Sequence, residues 1–249
     1  MPTNRSRAGC ASAFAAAQLS VSADRVYPLG RPVRQQAKSR SKLNRPARVY
    51  QFIIRLGEIE PPIWRRIQVP ETYSFWDLHV AIQDAMGWLD YHLHDFTILD
   101  PKTGEVERIG IPGDELIDGY ECLPGWHVQI ADYFTLQNPQ AEYLYDFGDS
   151  WKHIVTLEAI LPRQPRTKYP KCLAGARACP REDCGGPSGY EDMLKILANP
   201  THEEYDAMAE WAGNYDPERF DPAKVRFDNP QVRWQNAFSD DEQLTDWRD

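Results

Sequence analysis

The sequence predicts a single α+β domain, with a mainly antiparallel sheet, one early helix and two C-terminal helices. Several segments alternate apolar and polar residues, which is typical of strands with one buried face. One stretch has apolar residues at helical spacing, and two later segments begin with residues that cap helices. The chain has 249 residues, of which 42% are apolar and 26% charged, so it is long enough to bury a sizeable core.

The first two strands are predicted at 49–56 and 63–69. In the first, Tyr50, Phe52, Ile54 and Leu56 alternate with polar residues, and the consecutive prolines at 61–62 break the chain before the second. We expect the two strands to pair as a hairpin-like unit. Further strands are predicted at 93–99, 105–109, 126–130, 143–147 and 151–161.

The early helix is predicted to begin at Ser74 and to end at Gly87. Ser74 and Asp77 have the spacing of a capping box, in which each satisfies a backbone N–H group at the helix start. The apolar residues that follow form one stripe at helical spacing. This stripe consists of Phe75, Leu78, His79, Ile82, Ala85 and Met86.

Residues 162–188 have no hydrophobic periodicity and are dense in Pro, Gly and Cys, so we predict a long irregular segment. Two helices are predicted after it, each opened by a Ser/Thr and Glu pair, at 188–191 and 201–204. We therefore divide the chain into a disordered basic arm at 1–47, a folded domain at 48–238 and an acidic tail at 239–249.

The net charge of −9 conceals two regions of opposite sign. Residues 1–48 carry ten Lys/Arg and one acid, which gives +9, and the remainder carries 18 bases and 36 acids, which gives −18. We therefore expect the acidic domain to bind DNA poorly, and any DNA contact to use the arm at 1–47. The arm is also interpretable as a passive tail, an over-extended start or an organellar targeting peptide.

Two further counts bear on the environment of the protein. No run approaches 18 apolar residues, so the sequence predicts no membrane partner. Five cysteines are an odd number and too few for a disulfide scaffold of this length. We therefore expect a reducing compartment, the cytoplasm.

The densest polar cluster lies at 146–153. It brings Asp146, Asp149 and His153 together around a predicted turn, and carboxylates beside an imidazole can bind a metal ion or transfer protons. The same pattern is typical of a structural turn, in which Asp accepts backbone N–H groups and Gly148 has a positive φ. Both interpretations remain open at this stage.

Two other segments could add to such a site. His92 and His94 would share one face of a strand and could bind one metal ion, or one could pack beside Trp88 while the other is solvated. Glu182 and Asp183 could donate carboxylates, or they could cap the following helix. The candidate catalytic residues are therefore His92, His94, Asp146, Asp149, His153, Glu182 and Asp183.

Cys172, Cys179 and Cys184 form a separate candidate metal site. Three thiols within 13 residues could hold a structural zinc ion. Zinc loops normally use a closer pair of cysteines, and no fourth ligand is evident nearby. Free thiols are therefore the alternative.

Four motifs occur in order along the chain: PPIWRR at 61–66, GW…HLHDF at 87–96, YDFGDSWKH at 145–153 and EDCGGPSGY at 182–190. Together they resemble the plasmid pRiA4b ORF-3-like family over about residues 48–230. The resemblance implies a compact α+β domain, often encoded on plasmids or beside insertion sequences. Some members carry a resolvase label, which these residues do not support, because neither a serine nor a tyrosine recombinase set can be assembled.

We therefore carry two hypotheses of function. The leading hypothesis is a non-enzymatic accessory or interaction protein with a protein partner, associated with plasmids or insertion sequences. The alternative is a metal-assisted hydrolase or nuclease that uses a His/Asp/Glu cleft, with zinc or another divalent metal as cofactor. Convergence of the HLHDF, YDFGDSW and EDCGG segments on one cleft would favour the alternative.

Overall fold

The alternation predicted for the first strand is present in the structure, a computed structural model that describes residues 47–112 and 121–238. Tyr50, Phe52, Ile54 and Leu56 are buried on one face of this strand. The predicted acidic tail lies outside the described residues, as does the basic arm apart from Ala47. The described residues belong to one compact unit that begins at Arg45.

The described residues form one open sheet of eight strands in the order β5-β4-β3-β6-β7-β1-β2-β8. Neighbouring strands are antiparallel, except that β4 and β5 are parallel. The strands are β1 (Arg48–Leu56), β2 (Trp64–Pro70), β3 (His94–Leu99), β4 (Val106–Gly110), β5 (Cys122–Pro124), β6 (Gln140–Tyr145), β7 (Trp151–Pro162) and β8 (Lys171–Ala176).

Helices pack around this sheet, so the predicted α+β class is confirmed. Phe75, at the start of the first helix, lies edge-on against Phe96 of β3, with 5.2 Å between the ring centroids. The helices are α1 (Phe75–Met86), α2 (Ile130–Tyr133), α3 (Gly186–Leu197), α4 (Tyr205–Ala212) and α5 (Pro230–Phe238), with a 3-10 turn at Pro222–Lys224.

The capping box predicted for α1 is present. The Ser74 hydroxyl accepts a hydrogen bond from the Asp77 N–H, and the Asp77 carboxylate accepts one from the Ser74 N–H. Gly87 ends the helix with a φ of 94°, a left-handed conformation that favours glycine. The chain then enters the loop at 88–93, which carries the first of the candidate site residues.

The secondary structure differs from the prediction in several places. The segment predicted as irregular contains β8, an edge strand that pairs with β2. The strand predicted at 126–130 is wrong, because the local strand is Cys122–Pro124 and a short helix begins at Ile130. A third late helix, α5, packs Trp234 against Trp76 and Trp126 in a separate cluster.

The predicted caps of the two late helices are also wrong. Gly185 is the N-cap of α3, so Ser188 lies within the helix. Glu204 is the N-cap of α4, and the Thr201 hydroxyl donates to the Asn199 side chain instead. In both helices the chain turns into the helix without a side-chain cap, so the capping-box spacing did not locate the start.

Candidate functional site

Three loops meet at the end of the sheet where β7 begins: the loop at 88–93, the turn at 146–150 and the loop at 177–185. Backbone and side-chain hydrogen bonds join them. The Asp146 N–H donates to the Leu93 carbonyl at 2.9 Å, and the Leu89 N–H donates to Glu182 Oε2 at 2.9 Å. The HLHDF, YDFGDSW and EDCGG segments therefore converge in space.

His92, Asp146 and Asp183 form a cluster at this meeting point, one residue from each loop. His92 Nε2 lies 3.5 Å from Asp146 Oδ2 and 3.1 Å from Asp183 Oδ1. It makes no hydrogen bond with acceptable geometry to either carboxylate within the described chain. Over residues 47–112 and 121–238, these are the only three or more His, Cys, Asp or Glu ligand atoms that lie within 4.8 Å of one another.

The backbone of the turn fixes the carboxylate of Asp146. Asp146 has a φ of 56°, and its Oδ1 accepts hydrogen bonds from the N–H groups of Gly148 at 2.9 Å and Asp149 at 3.2 Å. The structural-turn interpretation therefore accounts for the hydrogen bonds of one oxygen of this carboxylate. Its assignment of the positive φ to Gly148 is wrong, because Asp146 and Ser150 have the positive φ angles in this turn. The other oxygen, Oδ2, lies toward His92 and is available as a ligand.

Glu182 and Asp149 hold the loops in place. Glu182 accepts hydrogen bonds from the Tyr145 hydroxyl at 2.5 Å and from the Leu89 N–H, so both of its oxygens are engaged. Burial and this carboxylate together raise the pKa of the Tyr145 hydroxyl, which therefore stays protonated. Asp149 Oδ2 accepts from the Gly185 N–H at the start of α3.

A glycine is required where α3 approaches the turn. A Cβ atom on Gly186 would lie 2.4 Å from the Asp149 carbonyl oxygen, and the φ of Gly186 is 69°. The two consecutive glycines of the EDCGG motif therefore allow α3 to contact the YDFGDSW turn.

His94 and His153 lie in the core and are not part of the surface cluster. The ring of His94 stacks on that of His79 at 3.4 Å, and burial together with the charge of His79 lowers the pKa of His94 well below its usual range. His153 is fully buried, its Nδ1 donates to the Trp151 carbonyl, and burial lowers its pKa to about 4. Both side chains therefore stay neutral at neutral pH.

The prediction that His92 and His94 share one face of a strand is wrong. β3 begins at His94, so His92 precedes the strand and the alternation of a strand does not extend to it. The Asp146 N–H bonds the carbonyl between these two histidines, and only His92 reaches the cluster.

The comparisons with known proteins agree with this arrangement of motifs. The family model of plasmid pRiA4b ORF-3-like protein matches residues 48–224, which include β1 to β8 and all three converging loops. This chain belongs to the plasmid pRiA4b ORF-3-like family. Helix α5 lies beyond the matched region.

Two relatives extend the comparison. The chain is 35% identical over 184 residues to "Uncharacterized protein y4hQ" of Sinorhizobium fredii, covering 73% of this chain and 88% of that protein. It is 48% identical to the crystal structure of "Protein of Unknown Function MM3350" from Methanosarcina mazei Go1, with a TM-score of 0.69, covering 74% of this chain and 100% of the other. Neither name assigns an activity, and these comparisons indicate no specific enzymatic function.

The three cysteines of the predicted zinc site lie in β8 and in the loop that follows it. Cys172 lies in β8, and Cys179 and Cys184 follow it in the loop before α3. These three described sulfur atoms do not form a group within 4.8 Å of one another. Burial raises the pKa of all three thiols, that of Cys184 to about 12, which disfavours the thiolate that zinc requires.

The sequence prediction missed a buried polar network below the surface cluster. His79 Nδ1 lies 2.8 Å from the Tyr143 hydroxyl, and its Nε2 lies 2.8 Å from Asp90 Oδ1. Burial favours a neutral Asp90, but the opposing charges of His79 and Arg233 lower the pKa of this carboxyl overall. A histidine within the apolar stripe of α1 was the available signal, since a buried imidazole needs partners for both nitrogens.

Large apolar side chains are exposed on the two loops that carry His92 and Asp146. Leu89, Tyr91, Leu93 and Phe147 are 64%, 73%, 53% and 43% exposed, and all four belong to the loops that carry His92 and Asp146. We call these four residues the apolar rim. Exposed apolar side chains grouped around polar atoms are typical of a binding surface.

None of the helices in the described parts of the chain is long and apolar enough to cross a membrane.

Proposed function

We propose that this domain is a binding module that holds its ligand through a divalent cation bound by His92, Asp146 and Asp183. The observation that supports the proposal is the convergence of three family motifs, which leaves one free ligand atom from each motif at the same point. The neighbouring carboxylates, Glu182 and Asp149, are used in joining the loops. The site and its support are therefore distinct sets of residues.

The distances within the cluster fit metal coordination better than a chain of hydrogen bonds. Metal–ligand bonds of about 2.1 Å separate neighbouring ligand atoms by about 3.0 Å in an octahedral site and about 3.4 Å in a tetrahedral site. The two measured separations from His92 Nε2 are 3.1 and 3.5 Å. His92 Nε2 has no hydrogen-bond partner among the described residues, although Asp183 Oδ1 lies 3.1 Å away.

The ligand set suggests which metals would bind. One imidazole nitrogen and two carboxylate oxygens suit zinc, manganese and ferrous iron better than calcium or copper(I). Three protein ligands leave at least one coordination position open. A ligand with an oxygen or nitrogen donor would occupy that position, and its apolar parts would contact the apolar rim.

Metal titration of the purified protein tests the proposal. We expect the chain to bind about one equivalent of zinc or manganese in isothermal titration calorimetry, and His92→Ala to weaken binding at least 10-fold because one of three ligands is lost. Asp146→Asn should do the same, although its amide oxygen can still accept from Gly148 and keep the turn folded. His127→Ala, which removes an exposed histidine elsewhere, is the matched control.

Two outcomes would contradict the metal site. Equal binding by His92→Ala and the parent chain would show that the cluster is not the site. Loss of zinc on Cys179→Ser, with binding retained in His92→Ala, would instead support the predicted cysteine site at 172, 179 and 184.

Metal-assisted hydrolysis is a second candidate, and the open coordination position favours it. A bound water molecule there would have a lowered pKa and could act as a nucleophile. Asp183 is 72% exposed, so a substrate could approach its side of the cluster. Turnover of an activated phosphodiester with manganese, abolished by Asp183→Asn, would support this candidate. Metal binding without turnover would support the binding module alone.

We further propose that the protein acts in the cytoplasm and is associated with mobile elements. The described cysteines Cys122, Cys172, Cys179 and Cys184 are all free thiols, which supports a reducing compartment. The plasmid origin in the family's name supports the second proposal. Fractionation of the native host and the gene neighbourhood would test these two proposals.

A further inference from the structure

The loop at 163–170 joins β7 to β8 at the end of the sheet opposite the His92 cluster. It contains Arg163, Arg166 and Lys168, and all three side chains are exposed. The sequence from 159 to 181 contains no acid. This loop is therefore a local concentration of positive charge on a domain whose net charge is strongly negative.

The cations of this loop differ from most arginines of the domain in their partners. No carboxylate within the described residues lies within 4.0 Å of Arg163, Arg166 or Lys168. The paired arginines elsewhere include Arg48 with Glu71, Arg55 with Glu60, Arg66 with Glu158, Arg108 with Asp95 and Arg177 with Glu218. Charges that no described carboxylate neutralises are available to an external anion.

The loop is also concave. It borders a shallow cavity of about 460 Å³ that is open to solvent and is lined by Ala47 and by every residue from Arg163 to Lys168. The Arg163 N–H donates to the Ala47 carbonyl at 2.8 Å, which fixes the start of the loop against the start of β1. Besides the three cations, Gln164 and Thr167 offer polar side chains, so the lining contains donors and no carboxylate.

The position of Ala47 favours a polymeric anion over a single phosphate. Residues 1–46, which precede it, carry nine of the chain's basic residues and one acid. A single phosphate can neutralise only the cations of the cavity. A polyanion can neutralise both these cations and those of the preceding segment, and each neutralised phosphate releases a counterion.

We propose that the cavity and loop at 163–168 bind the phosphodiester backbone of a nucleic acid. Arg163, Arg166 and Lys168 would contact phosphates, and such contacts give affinity without base specificity. The proposal places nucleic-acid contact on the folded domain, at residues that the structure describes. It is independent of the metal proposal, because the two sites share no residue.

Fluorescence anisotropy with the full chain and a labelled 20-base-pair duplex tests the proposal, with a 20-nucleotide single strand in parallel. We compare the triple variant Arg163→Gln, Arg166→Gln, Lys168→Gln with a control triple variant, Lys102→Gln, Lys195→Gln, Lys224→Gln. Both variants remove three positive charges from exposed positions. They differ in where those charges lie and in their partners, since Lys102 and Lys195 pair with Asp132 and Asp192 and the loop cations pair with no described carboxylate.

We expect the loop variant to bind at least 10-fold more weakly at 100 mM salt and the control less than 3-fold. The slope of log affinity against log salt should fall by about 2 to 3 for the loop variant, because each lost phosphate contact removes about 0.7 to 0.9. Circular dichroism should show both variants folded, since the substituted side chains are exposed.

Three results would overturn the proposal. An equal loss in both variants would assign binding to net charge alone. Failure of the full chain to bind either oligonucleotide at 50 mM salt would exclude the activity. Displacement of the duplex by 10 mM inorganic phosphate at constant ionic strength would assign the cavity to a free anion.

Discussion

The two ends of β7 differ in charge, in construction and in the chemistry they offer. Beside its first residue, three converging loops present the carboxylates of Asp146 and Asp183 and the imidazole of His92, next to the apolar rim. After its last residue, the loop at 163–170 presents three cations and no carboxylate. The strand has 12 residues, so the ends lie about 40 Å apart. The net negative charge of the domain therefore does not describe the basic surface.

The two ends also differ in what supports them. The loops at the acidic end are joined by buried side chains, with Tyr145 bonded to Glu182 and Trp88 bonded to the Pro180 carbonyl. The loop at the basic end is held by backbone contacts such as that between Arg163 and Ala47. A metal site needs fixed ligand atoms, whereas a phosphate backbone can be bound by exposed, mobile cations.

Of the changes that we consider, acidification should give the largest difference in stability between the two ends of β7. His153, in the third position of β7, keeps a folded pKa of about 4 against 6.5 when exposed. Between these values the unfolded chain binds a proton that the folded chain does not, so stability is full above pH 6.5 and falls as the pH approaches 4. Because folded His153 stays neutral, the free energy of unfolding falls by about 3 kcal/mol between pH 6.5 and pH 4. His94 adds to this loss.

Urea unfolding between pH 7 and pH 5 measures this effect, and hydrogen exchange locates it. We expect amides of the 146–150 turn to lose protection before those of β8, because both histidines lie below the acidic end. His153→Gln should reduce the pH dependence by about one proton. An unchanged pH dependence in that variant would show that His153 is protonated in the folded protein.

Gly186→Ala should break the acidic end and leave the basic end intact. The added Cβ would lie 2.4 Å from the Asp149 carbonyl oxygen at a φ of 69°, and overpacking against backbone costs about 2–4 kcal/mol. Gly104→Ala is the matched control, because Gly104 has a φ of 76° and open space around its Cβ position, and it should cost about 1 kcal/mol. Thermal unfolding compares the two variants, and a similar cost for both would contradict the close approach of α3.

The elements that the sequence predicted well are those fixed by local pattern. α1 follows from its apolar stripe and the Ser74 capping box, and β1 from strict alternation. β8 was missed because its sequence KCLAGA has small residues in place of an alternating pattern, and its pairing partner β2 is distant in sequence. α5 was missed because its contacts are tertiary, through Trp234 and Arg233.

The candidate site was predicted in part for a similar reason. The family motifs indicate the segments that converge, but no spacing rule places Asp183 beside His92, which precedes it by 91 positions. Nor can a sequence show that Glu182 is used by Tyr145 while its neighbour Asp183 is free. Which carboxylate is a ligand and which is a support depends on tertiary hydrogen bonds.

Binding of a metal ion should stabilise the loops at the His92 cluster and not the loop at 163–170. At a concentration 100 times the dissociation constant, a bound zinc ion adds about 2.7 kcal/mol to the free energy of unfolding. Hydrogen exchange should show the added protection at the loops around His92 and Asp146, and none at 163–170 beyond the global effect. Uniform protection, or none, would contradict a site at this end of β7.

The smallest expected effect comes from a single cation at the other end. Arg163→Gln removes one proposed phosphate contact, so the salt dependence of nucleic-acid binding should fall by about 0.7 to 0.9 in slope. Arg163 also lies over the ring of Tyr169, with 5.4 Å from its guanidinium carbon to the ring centroid, so Arg163→Lys should keep the slope and lose only the stacking contribution. Anisotropy across a salt series separates the two variants. If the slope of log affinity against log salt is unchanged in Arg163→Gln, this residue does not contact phosphate. The predicted decrease would show that a charge at the basic end acts independently of the acidic surface at the other end of β7.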